Sequence, residues 1–165
     1  MPFLAFAKID GIEGDSKQKG FEKQIEIVKI EHAIFQPVGV SAGGRGTLTV
    51  SQADHKPFVF YKEHDNTSPK LHLFYGSNGA HIPKVEVTLC RQAGTDPIAY
   101  MKYEFEDVVV AGYEVAGDIT GDGLPEEKVS LVYGKLKVTY TDSDSTGKAL
   151  GQITAEFDRR TGQSK

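Results

Sequence analysis

Val129-Ser130-Leu131-Val132-Tyr133-Gly134-Lys135-Leu136-Lys137-Val138-Thr139-Tyr140 holds two alternating patterns in one run. Val129, Leu131 and Tyr133 fall on odd positions, Leu136, Val138 and Tyr140 on even ones, and Gly134 stands between them. Alternation at period two sets one face of a strand on a core and the other on solvent or a neighbour. A glycine at the change of parity predicts a β-bulge that bends the strand and keeps both apolar sets inward. Such a bend curls a sheet toward a barrel.

The same period runs outward in both directions. Met101, Tyr103 and Phe105 alternate with Lys102, Glu104 and Glu106, and Val85, Val87 and Leu89 with Lys84, Glu86 and Thr88. Ile153, Ala155 and Phe157 alternate near the end of the chain, and Ile25 to Glu31 reads as one strand with Val28 and Ile30 on its apolar face. The Phe3–Ile9 and Phe58–Tyr61 stretches, each stopped by turn or charged residues, predict more deeply buried strands. The chain is therefore mainly β. Thr67-Ser68-Pro69 predicts its one helix, of about ten residues: a hydroxyl caps free amides, proline is preset for the first turn, and Gly76 or Gly79 ends it. Leu71, Phe74 and Tyr75 then share the face that would plug an edge or opening of the β structure.

A length of 165 residues suits one domain spanning 1–165, and folding it buries roughly 70% of the surface its unfolded chain exposes. Apolar residues make up 39% and charged residues 25%, the balance of a soluble globular chain. The net charge of -4 arises from mixed signs with no basic run, which argues against nucleic acid as a partner. No segment approaches the ~18 apolar residues of a membrane span, and Lys8 and Asp10 arrive too soon for a signal-peptide core. Cytoplasmic synthesis without membrane insertion is expected. Cys90, the only cysteine, sits in an alternating strand where burial is expected over reactivity.

Two loops stand out, Gly39 to Gly46 and Gly117 to Glu127, both too polar or glycine-rich to pack alone. Asp118-Ile119-Thr120-Gly121-Asp122-Gly123 opens like a calcium loop, but the twelfth position is Val129 rather than a bidentate glutamate. A solvated hairpin loop is the plainer reading. The five histidines show no metal-binding spacing, neither glycine-rich run has the lysine and glycine spacing of a phosphate loop, and no nucleophile elbow accompanies Cys90. No cofactor and no catalytic residue are expected. The alternatives to an assembling protein are a monomeric β-sandwich calcium- or carbohydrate-binding module resting on Asp118, Thr120 and Asp122, and an enzyme whose activity would vanish on Cys90→Ala.

Five segments, in order, resemble the Hcp (haemolysin-coregulated protein) family of type VI secretion tube proteins. They are Lys8 to Ser16, Gly43-Gly44-Arg45, Ser68 to Leu71, Leu89 to Gly94 and Glu126 to Lys135. The resemblance implies a two-sheet β-barrel with one flanking α-helix and extended loops. It also implies homo-hexameric rings that stack into a hollow tube, fired from the cell without a cleaved signal. The expected partners are the spike protein, the contractile sheath and small secreted effectors carried in the lumen. A closed ring is a head-to-tail contact between two different faces of each subunit. Gly43, Gly44 and Arg45 match the family's extended loop and are candidate subunit-interface residues; Lys29 and Glu31 match its lumen-facing strand and are candidate lumen-lining residues. Where the family often carries Trp-x-Trp, this chain has Ile30-Glu31-His32, and it has no tryptophan. A lysine, Lys128, also stands between the acidic pair Glu126-Glu127 and the following strand, where many relatives go straight into valine.

Overall fold

The structure is a computed structural model that describes residues 3–41, 43 and 46–165. In chain order it contains β1 (Phe3–Ile9), β2 (Ile25–Ile27), β3 (Lys29–Glu31), β4 (Ile34–Phe35), β5 (Val38–Val40), β6 (Leu48–Val50), β7 (Asp54–His55) and β8 (Phe58–Glu63). A helical segment, Lys70–Tyr75 with Gly76–Asn78, leads to β9 (Ile82–Ala93), β10 (Asp96–Ala116), β11 (Glu126–Ser143), β12 (Ala149–Asp158) and β13 (Gln163–Ser164).

The main sheet runs β13-β12-β11-β10-β9-β1-β2, and β8 joins it by pairing with both β11 and β3. One edge of β11 serves two partners: Glu126 to Leu131 pair with β8, and Lys135 to Ser143 with β12. The Ile25–Glu31 run changes partner in the same way, from β1 through Ile27 to β8 from Lys29. It thereby links the β2 end of the sheet, through β8, back to β11 in a barrel-like wrap, though the ladders do not close as an unbroken ring. Val28 is the joint. Its amide donates to the Tyr61 carbonyl at 2.8 Å and its side chain is exposed, so the expected Val28-Ile30 face does not form. Only Ile30 packs on the core.

The parity change at Gly134 is present, and Tyr133 and Leu136 are both buried. No extra residue is inserted there. Val108 pairs with Tyr133 and Glu106 with Lys135, leaving Asp107 opposite Gly134. Asp107 takes a φ of 54°, and its β9 neighbour is Pro83, between the pairs Val108 with Ile82 and Glu106 with Lys84. Three strands thus crease along one line and keep their register. True register shifts lie elsewhere, between Val110 and Gly112 and between Ala99 and Met101. The core gathers the inner faces: Val85 and Val87 of β9, Phe105 and Val108 of β10, Val129 and Leu131 of β11, with Phe58 and Phe60 of β8.

The predicted helix forms as a short, widened coil. The Gly76 amide reaches the Leu71 carbonyl, an i to i+5 bond, and Gly79 ends the segment at φ 67°. Leu71 is buried and Tyr75 half-buried, but Phe74 is exposed, because the widened turn rotates it off their face. No side chain caps the segment. The Ser68 hydroxyl instead accepts from the Asp65 amide, and that of Thr67 donates to the Asp65 carboxylate.

Candidate assembly surface

Between β3 and β8 the chain leaves the barrel and returns as a long two-stranded ribbon. β4 pairs with β7 and β5 with β6, and the amides of Ser51 and Lys56 continue the ladder by donating to Pro37 and Ala33. Val38 pairs with Val50 and Val40 with Leu48, so all four lie on one face of the ribbon. They are 55–69% exposed. A lone two-stranded ribbon is marginal in water, and fully burying each such side chain is worth about 1.5–3 kcal/mol. The Gly39 to Gly46 stretch is thus not a plain loop: Val38, Val40, Leu48 and Val50 are an alternating signal that the glycines between them obscured. Gly43 is exposed, while Gly44 and Arg45 lie outside the described residues.

A polar aromatic cluster fixes the base of the ribbon. The Tyr133 hydroxyl bonds His32 Nε2 at 2.9 Å and His55 Nδ1 at 2.8 Å; His55 also stacks on Phe157 at 3.8 Å. Arg159 lies over the Tyr133 ring and donates from Nη2 to the His55 carbonyl. Burial lowers the pKa of both histidines, helped at His32 by His55 and at His55 by Arg159, and burial pushes Tyr133 up to about 12. The cluster therefore favours neutral imidazoles, one bridging hydroxyl and a fixed exit angle for the ribbon.

Lys29 and Glu31 both point outward from β3 and form an ion pair at 2.8 Å. Tyr61, beside them on β8, donates its hydroxyl to Glu31 and lies under the Lys29 ammonium, 4.9 Å from the ring centroid. The patch is polar and internally neutralised. On the other, inward face of β8, next to Tyr61 in sequence, Lys62 is fully buried and ion-paired with the fully buried Glu127, and Lys62 also reaches Asp65 at 2.8 Å. His64 bonds the second oxygen of Glu127. Burial pushes the Glu127 carboxyl up, but bonds from Lys62, Ser68 and Tyr113 outweigh it and hold the group below its ordinary value.

Cys90 is buried, and burial alone pushes its thiol up to about 11, which leaves little thiolate at neutral pH. Asp118 accepts from the Thr120 amide at 2.9 Å and hydroxyl at 2.7 Å, the geometry of a self-contained turn. Among the described residues no group of three His, Cys, Asp or Glu side chains is placed to hold a metal, and no helix is long and apolar enough to cross a membrane.

Residues 6–140 match the family model described as "Type VI secretion system effector, Hcp". The chain belongs to the Hcp family. Protein hcp1 of Pseudomonas aeruginosa is 25% identical over 146 residues, 88% of each chain. Among solved structures, a type six secretion system protein superposes with a TM-score of 0.90 at 27% identity, covering 99% of this chain and all of its own. Hcp1 from Salmonella typhimurium superposes with a TM-score of 0.80 at 29% identity, with all of both chains covered. Against this Hcp fold, the absence of tryptophan at Ile30-Glu31-His32 has a local explanation: His32 points inward and bonds Tyr133, and Ile30 packs on the core.

Proposed function

We propose that this chain is a structural, non-catalytic subunit of a type VI secretion tube, forming hexameric rings that stack into a hollow conduit. Secretion without a cleaved signal, with small effectors in the lumen and the spike and sheath as partners, belongs to the same reading. The observation that carries it is the ribbon with Val38, Val40, Leu48 and Val50 uncovered, a cost that association with another copy removes. Gly43, Gly44 and Arg45 sit in sequence between its strands and are proposed interface residues. Lys29 and Glu31 are proposed to line the lumen. Their mutual ion pair presents effectors with a polar wall of little net charge. Light scattering across dilution, with negative-stain images of the same sample, tests the reading: rings of six subunits are expected, and a particle that stays monomeric when concentrated overturns it.

A further inference from the structure

Asparagine occurs twice in this chain, at Asn66 and Asn78, and the fold treats the two differently. Asn78 precedes Gly79, ends the helical segment and is exposed. Its Oδ1 accepts from the Ala80 amide at 3.0 Å, which folds the side-chain carbonyl back over the peptide unit between Asn78 and Gly79. Gly79 takes a φ of 67°, and a Cβ built on it would meet nothing within 4 Å, so the surroundings of its amide are open. Asn66 is exposed too, but the amide that follows it is engaged. Thr67 N donates to Asp65 Oδ1 at 2.8 Å, and the Thr67 side chain is buried.

We propose that Asn78 is a site of spontaneous covalent modification, in which the Gly79 amide nitrogen attacks the Asn78 side-chain carbonyl and the residue becomes aspartate or isoaspartate. In the first step the bond from Gly79 N to Asn78 Cγ forms and the Cγ–Nδ2 bond breaks. The amide proton leaves with Nδ2 as ammonia, and a five-membered cyclic imide remains. Water then opens the imide. Attack at Cγ gives aspartate in the original chain, whereas attack at the backbone carbonyl carbon routes the chain through the side chain as isoaspartate. In sum one water is consumed and one ammonia released, with no change of oxidation state. Two features of the site favour ring closure. Nucleophile and electrophile belong to adjacent residues and are already folded together, which removes the entropy of bringing them into contact. The Ala80 N–H points at the oxygen on which negative charge gathers as the nitrogen adds, the role of an oxyanion donor.

The product adds one negative charge, at an exposed position, to a chain whose net charge is -4. Isoaspartate also lengthens the main chain by one bond between two anchors, Leu71 and Ile82, both fully buried. The slack falls in residues 79–81, ahead of the β9 ladder, so converted copies stay folded and their fraction records the time since synthesis. None of this depends on ring assembly.

Incubating the full chain in mildly alkaline buffer and mapping its peptides by mass spectrometry tests the proposal. With time the Asn78 peptide should acquire the amide-to-acid mass change and split into two chromatographic species, aspartyl and isoaspartyl, while the Asn66 peptide keeps its amide. Isomerisation at Asp10-Gly11 or Asp122-Gly123 leaves the mass unchanged and is not counted. Asn78→Gln, which needs a six-membered ring, should abolish the conversion and melt as the wild type does. Gly79→Ala, which crowds the attacking nitrogen, should slow it severely. An Asn78 peptide that keeps its amide, or an Asn66 peptide that converts as fast, overturns the proposal, and so does undiminished conversion in Gly79→Ala.

Discussion

Lys62 and Glu127 face each other across the β8 and β11 ladder with no exposure to solvent. Removing one of them leaves the other charge buried, so Glu127→Ala should destabilise by about 3–5 kcal/mol, read as a lower urea midpoint at unchanged slope. Replacing both, as Lys62→Met with Glu127→Leu, should cost less than the single change, although Asp65 loses its partner too. Their position was legible, since Lys62 continues the inward parity of Phe58 and Phe60, and Glu127 that of Val129 and Leu131. Their burial was not, because a charged residue at an inward position is excluded until its partner on a distant strand is known. His32 and His55 carry a pH prediction. Their folded pKa values lie below the ordinary 6.5, so the unfolded chain takes up protons first as pH falls. Stability from the cluster is complete above about pH 6.5 and drains away as pH drops through the lowered folded values. Melting of the wild type should fall between pH 7 and 5 more steeply than that of His55→Gln, which keeps a polar side chain but does not titrate; each ~1 kcal/mol corresponds to about 2–4 °C at this size.

The crease shows how a local signal becomes an element. Gly134 marks it in the sequence, but Asp107 at φ 54° and Pro83 give the bend its width across three strands. A Cβ on Gly134 would stand 3.3 Å from that of Asp107. Gly134→Val should therefore cost about 1–3 kcal/mol by forcing the two strands apart, measurable by urea unfolding. Gly14 is stricter: a Cβ there would meet the Gln24 carbonyl oxygen at 2.2 Å, a clash with backbone that no rotamer relieves. Gly14→Ala should lose soluble folded protein, judged by yield and by collapse of the cooperative melt. The ribbon is the element that single-chain patterning reads least well. Its alternation is plain once Val38, Val40, Leu48 and Val50 are paired, but the four glycines at 39, 43, 44 and 46 and the lack of any intrachain cover make it read as a loop.

At the scale of the whole molecule, the contacts proposed between copies are apolar, so rings should persist in ~1 M NaCl, where exposed charges are screened beyond about 3 Å. Light scattering in low and high salt checks this, and dissociation by salt alone would point to an ionic interface instead. By itself the sequence determined the mainly β architecture, the strand faces, the bend at Gly134, the position of the helical segment and the burial of Cys90. These follow from period-two alternation and from glycine and proline, which act within a few residues. Only the tertiary structure decided that Val28 is a joint between two partners, that the helical segment is widened and turns Phe74 outward, and that Lys62 meets Glu127. It alone left the ribbon uncovered. Each of these depends on which strand lies next to which, and pairing between segments tens of residues apart is set by the packing of the whole wrap rather than by any local pattern.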